Sequence, residues 1–303
     1  MSARELIVLG TSSQVPTRAR SHNACFLAWD DIGILFDPGE GTQRQLIHAG
    51  IPPPRITHIC ITHFHGDHCL GVAGIFQRLS LDRVPHPVTV VYPASGEQYL
   101  QRLRYASIYW EQSTVVQKPI SEEGEVLRAG AMRLFTKKLE HGVECFGYRL
   151  EEDDSRRMDP AKLAAAGVAG PKVGELLKNG SLEIAGKTVR SEDVSEPKPG
   201  QRFAFVMDTK ECDGARALVK DADLAVMEST YLQVDHEEAL GHKHMTAAQS
   251  ATIAKEGGVR RLALTHFSQR YQDLEPFRAE ATAIHADTVV CEDLVHVPVP
   301  PRR

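Results

Sequence analysis

The chain has 303 residues, 42% of them hydrophobic and 25% charged, and its formal net charge is −5. This composition excludes an intrinsically disordered chain, and the acidic balance argues against a surface that attracts nucleic acid everywhere. The length suits one compact α/β domain spanning residues 1–303, with an insertion, rather than two separate cores.

Residues 4–9 (Arg-Glu-Leu-Ile-Val-Leu) read as a strand, and residues 24–29 and 32–36 as a hairpin turned at Asp30-Asp31. Residues 42–49 have helical composition and stop at Gly50, with Pro52-Pro53-Pro54 beyond. A β-rich run over residues 56–62 then delivers the chain to His63. Next come a helix over 70–79, a strand over 88–92, a helix over 96–105, a hairpin around Arg128-Ala129-Gly130 and a strand over 132–139. From Phe203 strands alternate with helices: strands over 203–207, 223–227, 261–265 and 288–291, helices over 215–220, 246–255 and 275–285.

Residues 151–200 differ. They are polar and punctuated by Gly167, Gly170-Pro171, Gly174, Gly180, Gly186 and Pro197-Lys198-Pro199-Gly200, as an insertion that leaves the core and returns would be. Long structureless loops are uncommon in compact domains and usually functional, so this segment reads as a functional insertion. Residues 171–190 carry Lys172, Lys178, Lys187 and Arg190 against Glu175 and Glu183 on an otherwise acidic chain, a modest hint of phosphate contact.

No stretch approaches the roughly 20 apolar residues of a membrane span, and the opening residues lack the apolar run of a leader, so a cytoplasmic protein without a membrane partner is expected. The six cysteines are scattered singly, which fits reduced, buried thiols.

The sharpest feature is Thr62-His63-Phe64-His65-Gly66-Asp67-His68, directly after a predicted strand. Each imidazole would lose hydration if buried alone, and a divalent cation satisfies all of them at once. His63 and His65 alternate and can point to one metal, while Asp67 and His68 can reach a second. One loop cannot fill two coordination spheres, so further ligands belong at other strand ends. His141, Asp208 and His266 stand there; a lone residue of this kind is ordinarily a turn or cap, but their joint placement after β-runs favours convergence at one rim. The arithmetic suits two ions: His63, His65 and His141 on the first, Asp67, His68 and His266 on the second, with Asp208 bridging. Two metals roughly 3.5–4 Å apart ready a hydroxide near neutral pH and clamp the attacking and leaving oxygens of an in-line displacement. Nitrogen-rich ligation favours two zinc ions per subunit, with manganese the alternative.

His-x-His-x-Asp-His after a strand, followed by single His, Asp and His, resembles the metallo-β-lactamase superfamily. That resemblance implies a four-layer αββα sandwich. The sequence is closer still to the ribonuclease Z family of tRNA 3′-processing endoribonucleases. The likeness is carried by Phe36-Asp37-Pro38-Gly39-Glu40-Gly41-Thr42-Gln43, the whole 62–68 run, Asp208-Thr209, and Thr265-His266-Phe267-Ser268 with Arg270-Tyr271. It runs from Gly10 to His266 and includes Gly170-Pro171 in the insertion.

By that resemblance Asp67 also orients the attacking hydroxide and accepts its proton, and Asp37 holds a ligand imidazole. His244, paired with Glu228, protonates the departing 3′-oxygen. Residues 151–200 become a flexible arm, an exosite in which Gly170, Pro171 and Lys172 contact tRNA. The family implies a homodimer whose arm presents precursor tRNA to the partner's active site, and no nucleotide cofactor. The products are a tRNA 3′-hydroxyl and a trailer 5′-phosphate. The sequence departs from the family at Pro38, Met207 and Met245, where Cys, Gly and Ser are commoner; this touches how the substrate end is held, not the metal ligands. Two other readings share these residues: a hydrolase of small molecules (lactonase, arylsulfatase or phosphodiesterase) on the same fold, and an RNA-binding protein without turnover.

Overall fold

The computed structural model describes residues 4–302. The first sheet contains β1 (Glu5–Gly10), β2 (Ala24–Trp29), β3 (Ile32–Phe36), β4 (His58–Cys60), β5 (Val88–Pro93) and β6 (Val115–Ile120). The second contains β7 (Gly124–Ala129), β8 (Met132–Leu139), β9 (Cys145–Glu152), β14 (Arg202–Val206), β15 (Leu224–Glu228), β16 (Arg261–Thr265) and β17 (Thr288–Val290). A last strand, β18 (His296–Pro298), returns to pair with β1, so the sheet orders are β18-β1-β2-β3-β4-β5-β6 and β17-β16-β15-β14-β9-β8-β7.

Strand alternation builds the layers. In β2, Cys25, Leu27 and Trp29 face the second sheet while Ala24, Phe26 and Ala28 face outward; in β14, Phe203 and Phe205 face inward and Ala204 and Val206 outward. Both faces are apolar because both are covered. Outside the first sheet lie α1 (Thr42–His48), α3 (Val72–Leu81) and α4 (Glu97–Arg104), whose Leu46, Ile75, Phe76, Leu79 and Leu100 meet that outer face. Outside the second lie α7 (Asp213–Val219), α9 (Ala247–Glu256) and α10 (Glu275–Thr282). The architecture is the expected αββα sandwich. The sheets are also tied by hydrogen bonds: Tyr148 donates its hydroxyl to the Ile61 carbonyl at 2.6 Å, and the Phe146 N–H to the Thr62 carbonyl at 3.0 Å.

Parallel pairing fixes where the chemistry sits. β3 runs parallel to β4, and β14, β15, β16 and β17 run parallel in turn, so these strands deliver their C-terminal ends to one rim. β8 reaches the same rim because it is antiparallel to β9, which is antiparallel to β14.

Residues 155–198 form a separate unit. Its stalk pairs β10 (Ser155–Met158) with β13 (Ser195–Lys198), and beyond it lie α5 (Pro160–Ala165), α6 (Pro171–Asn179) and the hairpin β11 (Ser181–Ile184) and β12 (Lys187–Arg190). Leu163, Val168, Leu176 and Val194 give it a small core of its own. The Asp159 carboxylate accepts the Ala161 and Lys162 N–H groups and caps α5.

Some elements differ from expectation. The run over 56–62 is regular strand only at His58–Cys60, and at its far end the Thr62 N–H and hydroxyl turn to the Asp37 carboxylate. The helix expected from residue 70 begins at Val72 and is preceded by a short helical turn, α2 (Gly66–Cys69), which carries Asp67 and His68. β6, β9, β18 and the helix α8 (His236–His242) were not anticipated.

Candidate metal centre

The metal-binding motif opens as β4 ends. His63 and His65 straddle Phe64 in extended chain, and His65 then precedes α2, whose first turn lifts Asp67 and His68 to the same cavity. Asp37, Asp208 and His266 lie one or two residues past β3, β14 and β16, each in the left-handed region with φ of 43°, 43° and 65°. Non-glycine residues rarely sit there, and such local strain concentrates where side chains must be aimed. His141 follows β8, Glu228 ends β15, and His244 stands just ahead of α9, whose start is fixed by a reciprocal cap between Thr246 and Gln249.

Two ligand sets face each other across Asp208. His63, His65 and His141 gather with Asp208, and Asp67, His68 and His266 form a second group, the donor atoms of each set lying within 4.8 Å of one another. The two Asp208 oxygens divide between them. Oδ2 is 3.7 Å from Nε2 of both His63 and His141, and Oδ1 is 3.2 Å from His68 Nε2 and 3.1 Å from His266 Nε2.

The donor chemistry fits metal. His65 Nδ1 lies 2.9 Å from His63 Nε2 and 3.2 Å from His141 Nε2, while His68 Nε2 and His266 Nε2 are 3.2 Å apart. Neutral imidazoles in that crowd meet lone pair to lone pair, and Asp208 Oδ1, buried among them, finds no hydrogen-bond donor. A shared divalent cation answers both conflicts.

The outward nitrogens of four of the five rings are held. His63 Nδ1 lies 3.0 Å from the Thr62 hydroxyl, His68 Nδ1 2.8 Å from Asp37 Oδ2, His141 Nδ1 3.4 Å from the Lys243 carbonyl and His266 Nδ1 2.9 Å from the Thr230 hydroxyl. Each partner turns its ring's remaining nitrogen inward.

Burial disfavours charge on Asp208, yet His266 and His68 outweigh it and hold the carboxylate well below its usual range. Burial likewise opposes ionisation of Asp67, and His68 and His266 more than compensate, so its pKa falls. Burial pushes His63 down, with His68 adding to the effect. His244 goes the other way. Burial works against its charge, but Glu228 and Asp208 raise it to about 9. Its Nδ1 is 2.9 Å from Glu228 Oε1, and its Nε2 is 4.0 Å from Asp208 Oδ2. The fully buried Glu228 also accepts the N–H groups of Thr209 at 2.6 Å and Met245 at 3.2 Å and the Thr230 hydroxyl at 2.6 Å.

All the rim residues named from the sequence therefore converge, whereas Gly170, Pro171 and Lys172 lie exposed at the start of α6 on the arm, outside this cavity. Met207 packs between the sheets and Met245 in the outer helical layer, so neither side chain enters the site. No role was expected for Thr62 or Thr230, which orient two ligand rings. Their one signal was adjacency: each lies within two residues of a candidate site residue. A cavity of about 380 Å³ opens over the centre, walled also by Ser13, Gln14, Tyr231, Glu238 and Arg270.

Two packed sheets with a histidine and aspartate centre at their common rim define a hydrolase of the metallo-β-lactamase class. Residues 17–154 match the metallo-beta-lactamase superfamily and residues 188–267 the beta-lactamase superfamily domain. The chain belongs to the ribonuclease Z family. It is 54% identical to ribonuclease Z of Salinispora arenicola, covering 100% of this chain and 98% of that one. It is 52% identical to ribonuclease Z of Streptomyces coelicolor, covering 100% of both. Human tRNase Z, short form, superposes with a TM-score of 0.72 at 22% identity, over 98% of this chain and 100% of that one, a likeness of fold.

Proposed function

We propose that this chain is an endoribonuclease that removes the 3′ trailer from precursor tRNA. The ligand sets described above would hold two zinc ions, with manganese the alternative, and the ions when bound supply a nucleophile and a positive field for the phosphate. Asp67 accepts the proton of the attacking water. Asp37 keeps the His68 ring in place. His244, protonated because Glu228 and Asp208 stabilise its charge, gives a proton to the departing 3′-oxygen.

The observation that carries this reading is the His244–Glu228 pair beside Asp208. An alkoxide leaving group needs an acid, and a charged imidazole braced by a fully buried carboxylate, whose remaining lone pairs are taken by Thr209, Thr230 and Met245, is built to stay aimed. Full-length identity to proteins named ribonuclease Z supports tRNA as the substrate. The exposed arm, with Gly170, Pro171 and Lys172 at its surface, serves as the tRNA exosite. The enzyme acts as a cytoplasmic homodimer in which one arm serves the partner's centre. Among the described residues no helix is long and apolar enough to cross a membrane.

Incubation with a trailer-bearing precursor tRNA, with and without chelator, tests the proposal. Mapped ends should show a tRNA 3′-hydroxyl and a trailer 5′-phosphate, formed only without chelator. Preferential turnover of lactone or sulfate esters would replace it with the small-molecule reading.

A further inference from the structure

Arg270 is the only arginine or lysine among the described residues lining the cavity over the metal centre. A polyanionic strand entering there meets Asp67, Asp208 and Glu238 as well as the imidazoles. Yet in the free enzyme this cation is occupied. Both terminal guanidinium nitrogens bond the Glu238 carboxylate, one of them at 2.6 Å, and the guanidinium lies 5.0 Å over the Tyr231 ring. Tyr231 is buried and packed in turn against His242, with the two rings almost parallel at 6°. Arg270 and Glu238 themselves are more than a third exposed. A rigid platform thus fixes the plane of the arginine while its ionic partner stands at the cavity wall.

We infer that Arg270 is a phosphodiester-binding residue for the RNA strand next to the scissile bond, and that Glu238 is a built-in competitor which the incoming phosphate displaces. The fork of a guanidinium accepts a carboxylate and a phosphate with the same two-point geometry, so exchange needs little movement of Arg270. An exposed pair of this type holds weakly, so a phosphate can displace Glu238 from it. The stack on Tyr231 supplies what the exchange requires, a guanidinium that keeps its plane while it changes partners. Glu238 lies on α8, and the chain after α8 leads through Lys243 to His244, so the latch stands on the same wall as the proposed acid. This rests on the RNA substrate of the proposed function and names how the strand is gripped.

The test uses the metal-loaded, full-length protein and two readouts across a salt series: precursor tRNA cleavage, and equilibrium binding of a short single-stranded RNA. Arg270→Ala should raise KM and the RNA dissociation constant about tenfold and flatten the salt dependence by about one charge. Glu238→Gln should do the reverse, tightening RNA several-fold and steepening the salt dependence. Arg270→Lys should restore the salt slope but only part of the affinity. If Glu238→Gln weakens RNA as much as Arg270→Ala does, the pair is a structural pin and the inference is overturned. Unchanged binding in both variants also overturns it. If the wild type cuts no precursor tRNA while the binding shifts follow this pattern, the trailer-removal reading fails and the phosphate latch stands.

Discussion

The Thr230 hydroxyl donates to Glu228 Oε2 at 2.6 Å while lying 2.9 Å from His266 Nδ1. Its single proton is committed to the carboxylate, so toward His266 it can only accept. His266 must carry its proton on Nδ1 and present an unprotonated Nε2 to the centre. Thr62 repeats the device, donating to Asp37 at 2.7 Å and accepting from His63 Nδ1 at 3.0 Å.

Thr230→Val keeps the shape and removes the hydroxyl. Metal affinity, read by competition with a chromogenic chelator, should fall about 10–100-fold, as for other groups that orient a ligand ring. Thr230→Ser should retain most of it. Wild-type affinity in the valine variant would show that the tautomer is set by something else.

Gly96 touches the centre through Phe64. A methyl group on Gly96 would fall 1.9 Å from the Phe64 ring, and Phe64 sits between the ligands His63 and His65. Gly96→Ala should therefore cost about 1–3 kcal/mol of stability by overpacking and lower metal occupancy together with it. Phe64→Leu in the same chain should recover part of both, which denaturant unfolding and elemental analysis would read. A Gly96→Ala protein with full metal content would contradict this linkage.

The arm's stalk and small core make it separable. Deleting residues 159–187 leaves β10 and β13 joined by a short loop. Precursor tRNA cleavage should drop at least about tenfold, the equivalent of losing roughly 1.4 kcal/mol of binding, while hydrolysis of a small phosphodiester continues. Equal losses on both substrates would remove the arm from tRNA binding.

Glu152 takes Arg4 at 2.7 Å and Arg302 at 2.9 Å. Burial opposes its ionisation, but these hydrogen bonds and the Gln201 N–H hold its pKa down to about 2. A carboxylate depressed in the folded state contributes stability that is full above its unfolded pKa, near 4.3, and fades as pH falls toward 2. Glu152→Gln should lower Tm at pH 7, and the gap from wild type should close steadily between pH 5 and 2. A gap independent of pH would assign the effect to packing.

The metal centre was legible because its chemistry is dense. Four of its residues fall within six positions, and His141, Asp208 and His266 each follow a β-run whose pattern is plain. What escaped was set by tertiary context. β9 ends in Arg149, Glu151 and Glu152, charges that read as the start of the polar insertion, yet its Phe146, Tyr148 and Leu150 fill the space between the sheets. β6 carries Lys118 and Pro119 and is largely exposed, as an edge strand can be. The arm's strands are four residues each, too short for alternation to speak. Thr62 and Thr230 are ordinary residues by type; only the two-way geometry of one hydroxyl reveals them.

The pairing of β18 with β1 has a temporal side. β18 follows every other strand of both sheets, so as a ribosome makes the protein, β1 has a bare outer flank until all of those strands have been made. Bare flanks of this kind recruit strands from other molecules. The exposure ends only when His296–Pro298 docks, so the flank of the first sheet is sealed by a strand made long after its neighbour.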